Sequence, residues 1–489
     1  MGRYFKFKHE DEIRATCKQL GTTIEFQKDL RPLFERMRIG SYRVGNRLCI
    51  QPMEGCDGTL DGAPDVLTFR RYQRFGAGGA KLIWFEATAV VPEGRANPRQ
   101  LLLNEDNAPA FEKLVHTCRR AHRDTFGSDD DLIVGLQLTH SGRYSYPIAL
   151  LAYHDPLLDP FTIADQHTRR PVDIHTPLVT DEYLYSLVDQ YIAAAKWAWK
   201  IGFQFVDIKQ CHRYLLSELL SARARRGPFG GDLENRTRLA RMIITGIRSE
   251  VPELMLASRI NVYDGVPYRA CDAGSAKEKT GSPVPHVIPV TSAFGTDERE
   301  PAKPDLAEPL QWISQMISLG VALINVTMGN PYVSPHLVRP FDYPPPDGYA
   351  PPEHPLLGVD RHMRLTEAVQ RAFPHVAVVG SGYSYLQDYL FAAAAFNIAA
   401  GRVSLVGVGR GALPQPDFVR QLLDKGCLDR KRICRTFSYC TALMRSKHNN
   451  LGQFPTGCPP FDKEVYGPIW AEACKGTHDE TGNGGRKTV

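Results

Sequence analysis

The 489-residue chain is short of the features that mark several large protein classes. Its eleven cysteines are too few for a disulfide-stapled secreted scaffold, so reduced thiols are expected. No apolar run approaches the roughly 20 residues that cross a bilayer. The most apolar helical stretch, Tyr389 to Ala400, is Ala-rich and too short. The first ten residues, Met1 to Glu10, lack the apolar core of a secretory leader. Charge of one sign is scarce too: 59 Lys and Arg against 54 Asp and Glu give a net charge of +5 without a dense basic tract. That argues against nucleic acid as a partner. A soluble, cytoplasmic protein acting on a small molecule is expected, with neither membrane nor nucleic acid as partner and with room for a homo-oligomer.

What the chain does have is a rhythm. Short, near-continuous apolar runs occur at Leu48–Met53, Lys81–Thr88, Leu132–Thr139, Phe203–Lys209, Leu254–Asn261, Val321–Thr327, His375–Ser381 and Val403–Val408. Runs of this kind are expected of parallel strands covered on both faces. Helical patterns lie between them at Asn107–Arg123, Asp181–Ile201, Asn235–Ser249, Leu310–Leu319, Gly358–Phe373 and Tyr385–Ala400. Eight strands alternating with helices predict a (β/α)8 TIM barrel, in the α/β class. The expected domains are a helical lead-in over 1–40 (Asp11–Leu20, then Leu30–Met37), the barrel over 41–423, a Cys-containing extension over 424–476 and a disordered polar tail over 477–489. Two Gly- and Pro-rich segments, Val262–Ala307 and Tyr332–Pro355, leave the C-terminal ends of strands five and six. Loops there shape the substrate mouth of such barrels, and the first is the favoured lid.

Ionisable groups cluster where strand four ends, in Lys209-Gln210-Cys211-His212-Arg213-Tyr214. Lys209 and His212 suit an anionic or carbonyl oxygen, and Tyr214 can deliver a proton; buried structural roles are the plain alternative. Gly380-Ser381-Gly382 after strand seven and Gly409-Arg410 after strand eight expose backbone N–H groups to a phosphate, and Arg410 adds a cation. Gln137 on strand three can donate and accept at the edge of a flat ring such as a flavin pyrimidine. Arg259 on strand five would stabilise negative charge there.

Taken together, these pieces resemble the NADH:flavin oxidoreductase / Old Yellow Enzyme family of FMN-binding barrels. The resemblance covers about residues 28 to 425. It is carried by Asn46-Arg47 with Pro52-Met53, Gly78 to Ile83 with Glu86-Ala87, Gln137 to Arg143, Tyr214-Leu215-Leu216, Gly230-Gly231 with Glu234-Asn235-Arg236, Gly380-Ser381-Gly382 and Gly409-Arg410. It implies FMN as cofactor, NADH or NADPH as co-substrate, and hydride transfer to an activated alkene with Tyr214 as proton donor. Pro52, Met53, Ala87, Gln137, Arg259, Gly380, Ser381, Gly382, Gly409 and Arg410 would contact FMN. The chain departs from the family at two places. Lys209 stands where the first residue of the oxygen-binding pair is usually His, which favours a fully charged oxygen such as a carboxylate. Arg213 stands where a Gly usually precedes the Tyr, and is expected to crowd the site.

Larger family members carry an iron–sulfur cluster after the barrel. Cys434, Cys440 and Cys458 lie in the matching segment, but Phe437 takes one ligand place and Cys427 fits no common spacing, so no cluster or other metal site is expected. Two other readings stay open. One is an oxidative flavin dehydrogenase or demethylase acting on an amine or steroid-like substrate. The other is a non-catalytic flavin-barrel binding protein.

Overall fold

Strictly parallel pairing joins eight strands into a closed barrel. They are β1 (Leu48–Ile50), β2 (Leu82–Ala89), β3 (Ile133–Thr139), β4 (Phe205–Ile208), β5 (Met255–Asn261), β6 (Val321–Thr327), β7 (Ala377–Gly380) and β8 (Leu405–Val408). The computed structural model of the chain describes residues 2–271, 279–345, 347–446 and 448–475. The barrel closes where Val408 of β8 pairs with Ile50 of β1. Each of the eight apolar runs in the sequence supplies one strand.

Eight helices follow the strands: α1 (Val66–Gly76), α2 (Ala108–Phe126), α3 (Asp181–Lys200), α4 (Leu233–Glu250), α5 (Ala307–Ser318), α6 (Pro355–Ala372), α7 (Leu390–Ala399) and α8 (Phe418–Lys425). The helical patterns of the sequence locate α2 to α7. They miss α1, where three arginines interrupt the apolar stripe and one of them, Arg71, is buried against Asp57 and Glu86. They also miss the short α8. Among the described residues no helix is long and apolar enough to cross a membrane.

Two layers of apolar side chains hold the barrel. One lies between sheet and helices. The other fills the interior with Trp84, Ile133, Phe205, Leu323 and Leu405, and is plugged from below by Ile39 and Val44. Gly135 has a physical reason here: a Cβ would come within 2.1 Å of the Phe205 ring. Alternation along a strand then decides what lines the top. On β4, Phe205 faces the apolar interior, so Asp207 faces the layer above it and Lys209 the mouth.

The lead-in differs from expectation. Glu10–Gln19 is helical, but Leu30–Met37 is not one helix. Pro32 lies in a single 3-10 turn, Arg31–Phe34, and the chain then forms a hairpin of Met37–Ile39 and Tyr42–Val44, which supplies the plug. Residues 476–489, which hold the expected disordered tail, lie outside the described residues.

Candidate active site

One cavity opens at the C-terminal ends of the strands, with about 1200 Å³ of space including its mouth. Its lining contains Pro52, Met53, Ala87, Gln137, Lys209, His212, Tyr214, Arg259, Ser381, Gly382, Gly409 and Arg410. Of the residues assigned from sequence to the cofactor and to catalysis, Gly380 alone is absent from the wall. It sits one step back in β7, where its carbonyl accepts a 3.4 Å hydrogen bond from Gln51 Nε2.

The floor is set by a buried carboxylate that the sequence reading passed over. Asp207 accepts from Gln137 Nε2 at 2.6 Å, Trp84 Nε1 at 2.9 Å and the Arg259 backbone N–H at 2.7 Å. Burial pushes its carboxyl up to about 6 against these bonds. The Gln137 amide is thereby fixed with its nitrogen committed to Asp207. Its oxygen is left to accept from a ring N–H. Arg259 reaches the Pro52 carbonyl at 3.4 Å, while its Nε has no partner.

At the other end, the turn after β8 runs through Gly409 (φ −95°, ψ −102°) into a 3-10 turn at Arg410. Arg410 donates Nη2 to the Pro340 carbonyl at 2.6 Å and leaves Nη1 buried and unpaired. Gly382 has φ +90°, and a Cβ there would press on His362 at 2.8 Å. An orphaned guanidinium edge beside two glycine turns fits a phosphate. Together with the fixed Gln137 oxygen and Arg259, the chain's own groups fit FMN.

Between these ends lie the residues after β4. Lys209 Nζ stands 3.6 Å from the centre of the Tyr214 ring, a cation–π contact. Burial draws its ammonium below the usual lysine value. Burial likewise raises the carboxyl of Glu54, a wall residue held by Asn97 Nδ2 at 2.5 Å, and the Glu54 and Lys209 charges favour one another. His212 is kept neutral by burial and the nearby cations, and its Nε2 is 3.4 Å from Thr327 Oγ1. Tyr214 is 4% exposed and shares a 3.0 Å hydrogen bond with Tyr332, which is 37% exposed. Tyr144 stacks on Tyr332 at 4.2 Å.

Arg213 does not crowd the cavity. His212 and Arg213 both adopt left-handed backbone, φ +65° and +62°. The second explains why a Gly suits this position. The turn swings the Arg213 side chain away from the cavity into a buried cluster. There it donates to Asp264 at 2.9 Å, the Ser292 carbonyl at 2.8 Å, Tyr153 Oη at 2.9 Å and Asp155. The reversal leaves Tyr214 as the N-cap residue of a short helix, Leu215–Leu220.

The lid also departs from expectation. No described residue of 262–307 lines the cavity. That segment packs outside, through Val266, Val290 and Ala293. The wall comes instead from Pro331, Tyr332, Val338 and Arg339 after β6, and from Cys440, Thr441, Met444, Arg445 and Thr456 of the C-terminal extension. Of these, only the segment starting at Tyr332 carried a loop signal in the sequence.

Cys434, Cys440 and Cys458 line a neighbouring cavity together with Phe437. Cys427 is exposed and lines a different groove, beside Gly426 and Leu428. Among the described residues no group of three or more His, Cys, Asp or Glu side chains is arranged to hold a metal. With Phe437 in the segment and Cys427 elsewhere, anaerobically purified protein should contain less than stoichiometric iron and sulfide. A full complement of both would show that a fourth ligand has been recruited.

Residues 32–274 match the family model of the NADH:flavin oxidoreductase / NADH oxidase family. The NADPH dehydrogenase of Halalkalibacterium halodurans is 30% identical over 222 residues, 44% of this chain and 60% of the relative. The chain thus spans less than two thirds of that relative. Among solved structures, 2-naphthoyl-CoA reductase bound to 2-naphthoyl-CoA superposes with a TM-score of 0.63 at 17% identity, over 90% of this chain and 58% of the other. The old yellow enzyme homologue of Zymomonas mobilis gives 0.56 at 19% identity, over 82% of this chain and 94% of the other. At these identities the structural likenesses speak to the barrel fold.

Proposed function

We propose, from the match of residues 32–274 to the model of the NADH:flavin oxidoreductase / NADH oxidase family, that this protein is an FMN-dependent oxidoreductase acting between NADH or NADPH and an activated alkene, an enone or enoate. The observation that carries the reading is the single cavity in which a phosphate cradle, a ring-edge pair and a proton-bearing trio meet. When bound, FMN supplies hydride exchange between the nicotinamide and the substrate.

The chain's own residues do the rest. Gln137 and Arg259 hold the polar ring edge, and Ser381, Gly382, Gly409 and Arg410 hold the phosphate. Pro52, Met53 and Ala87 give the ring a mostly apolar wall. Lys209 and the neutral His212 orient the substrate oxygen, the ammonium favouring one that carries full negative charge. Tyr214 holds a proton for the carbon beside the activating group. Tyr332, bonded to Tyr214 and partly open to solvent, can return that proton. A cationic amine is disfavoured in the same place, since Lys209 already covers the Tyr214 face and repels a second cation.

The purified protein should be yellow and release FMN on heating. Anaerobic addition of NADH or NADPH should bleach it, and enones or enoates should restore the colour faster than amines. Release of FAD, or no flavin after reconstitution, would sink the proposal. Arg410→Ala should weaken FMN binding by roughly 1.5–3 kcal/mol, the scale of a charge-assisted hydrogen bond.

A further inference from the structure

Three guanidinium groups share the wall of the cavity: Arg410 after β8, Arg339 in the loop after β6 and Arg445 in the C-terminal extension. Burial, then Arg445 and Arg410, hold Arg339 well below the usual arginine value. Such a gathering of like charge is unfavourable unless an anion joins it.

The three are not equally engaged. Arg445 is committed, with Nη1 on Asp347 Oδ1 at 2.7 Å and Nη2 on the Pro331 carbonyl at 2.5 Å. Arg410 spends Nη2 on Pro340 and keeps Nη1 unpaired. Arg339 keeps both Nε and Nη2 buried without a partner. Nε and one Nη form the edge of a guanidinium that grips two oxygens at once. Among the described residues neither Arg339 nor Arg410 makes an ion pair.

We propose that Arg339 is the second guanidinium of the phosphate site, clamping the FMN phosphate against Arg410, and that the C-terminal extension is the wall that ends this site. The proposal rests on the FMN reading above and adds to it a residue that carries no motif. A phosphate monoester offers three oxygens and close to two negative charges, which matches two orphaned guanidinium edges. Arg445 ties the extension to the loop after β6 through Asp347 and Pro331, so that loop and extension form one wall. Cys440, Thr441 and Met444 complete it. A wall beyond the first phosphate favours a monophosphate flavin over a dinucleotide.

The test is titration of full-length apoprotein with FMN, riboflavin and FAD, read by quenching of flavin fluorescence. Wild type should bind FMN at least roughly a hundredfold more tightly than riboflavin, and more tightly than FAD. Arg339→Met, which keeps the side-chain bulk, should lose roughly tenfold to a hundredfold in FMN affinity while riboflavin affinity stays level. Arg339→Lys should recover part of the loss. Unchanged riboflavin binding also reports that the variant is folded. If wild type prefers FMN but Arg339→Met binds it equally well, the clamp is overturned and the FMN reading stands. If Arg339→Met loses FMN and riboflavin alike, Arg339 supports the fold and the clamp is overturned. If wild type binds neither FMN nor riboflavin, the clamp and the FMN reading fall together.

Discussion

Tyr214→Phe is expected to slow turnover of an enone by about 10²-fold or more, the usual scale for loss of a general acid. FMN content and the rate of bleaching by NADPH should stay close to wild type. The phenol is a poor acid in water, with a pKa of about 10. Burial raises the Tyr214 hydroxyl further, with Tyr332 and Glu54 adding to the shift. It can still protonate carbon, because the base that develops during hydride arrival is stronger than a phenolate. Position carries the assignment: Tyr214 lines the cavity, beneath the Lys209 ammonium and against the Tyr332 hydroxyl. Tyr332→Phe removes the hydroxyl that shares the proton but leaves the donor, and should cost less. Lys209→Ala should act on binding instead, raising KM and weakening phenolate ligands. If Tyr214→Phe reoxidises with enones at the wild-type rate, the proton comes from water or another group. If Tyr214→Phe and Lys209→Ala alter only the reaction with NADPH, the pocket belongs to the nicotinamide.

The barrel was legible because parallel strands buried on both faces leave unmistakable apolar runs. The wall of the candidate site was legible in part where it lies on those strands. Alternation places Gln137, Lys209 and Arg259 on the inner face, while Asp207 on the same face of β4 was passed over, because a carboxylate inside an apolar run gives no sign that Gln137 and Trp84 will hydrogen-bond it. Turn chemistry marks Gly382 and Gly409. The rest lies on segments without a register. The segment that holds Tyr332 and Arg339 showed its place only through its Pro-rich composition after β6, and nothing in the sequence around Arg445 distinguishes a cavity wall from a surface loop. Composition favoured the first of the two Gly- and Pro-rich segments as the lid, and wrongly: both leave strand ends, and composition does not tell which of them turns onto the cavity. Helix α1 was hidden for another reason. Its buried face includes Arg71, neutralised by Asp57 and Glu86, and periodicity reads such a residue as solvent-facing.

Arg213 offers the largest expected effect on stability, and it tests the place where the chain leaves the family pattern. Arg213→Ala should destabilise the protein by roughly 3–5 kcal/mol, the cost of removing one partner from a buried ion cluster. Asp155 and Asp264, 0% and 2% exposed at their side chains, would lose the guanidinium between them. Arg213→Gly removes the same contacts but suits φ +62°, where a side chain costs roughly 1–2 kcal/mol. The glycine variant should therefore be the more stable of the two by about that amount, although Gly weakens most positions. Urea midpoints of wild type and both variants decide it. The same cluster joins the loop after β3, through Tyr153 and Asp155, to the loop after β5, through Asp264 and Ser292. Arg213 is thus a positioning residue: it fixes the turn that presents His212 and Tyr214, without itself lining the cavity. Both variants should then lose more in turnover than in FMN affinity. Equal stability of the alanine and glycine variants would mean that the backbone relaxes out of the left-handed region once the guanidinium is gone. The ion cluster, rather than the sequence after β4, would then be what holds the turn.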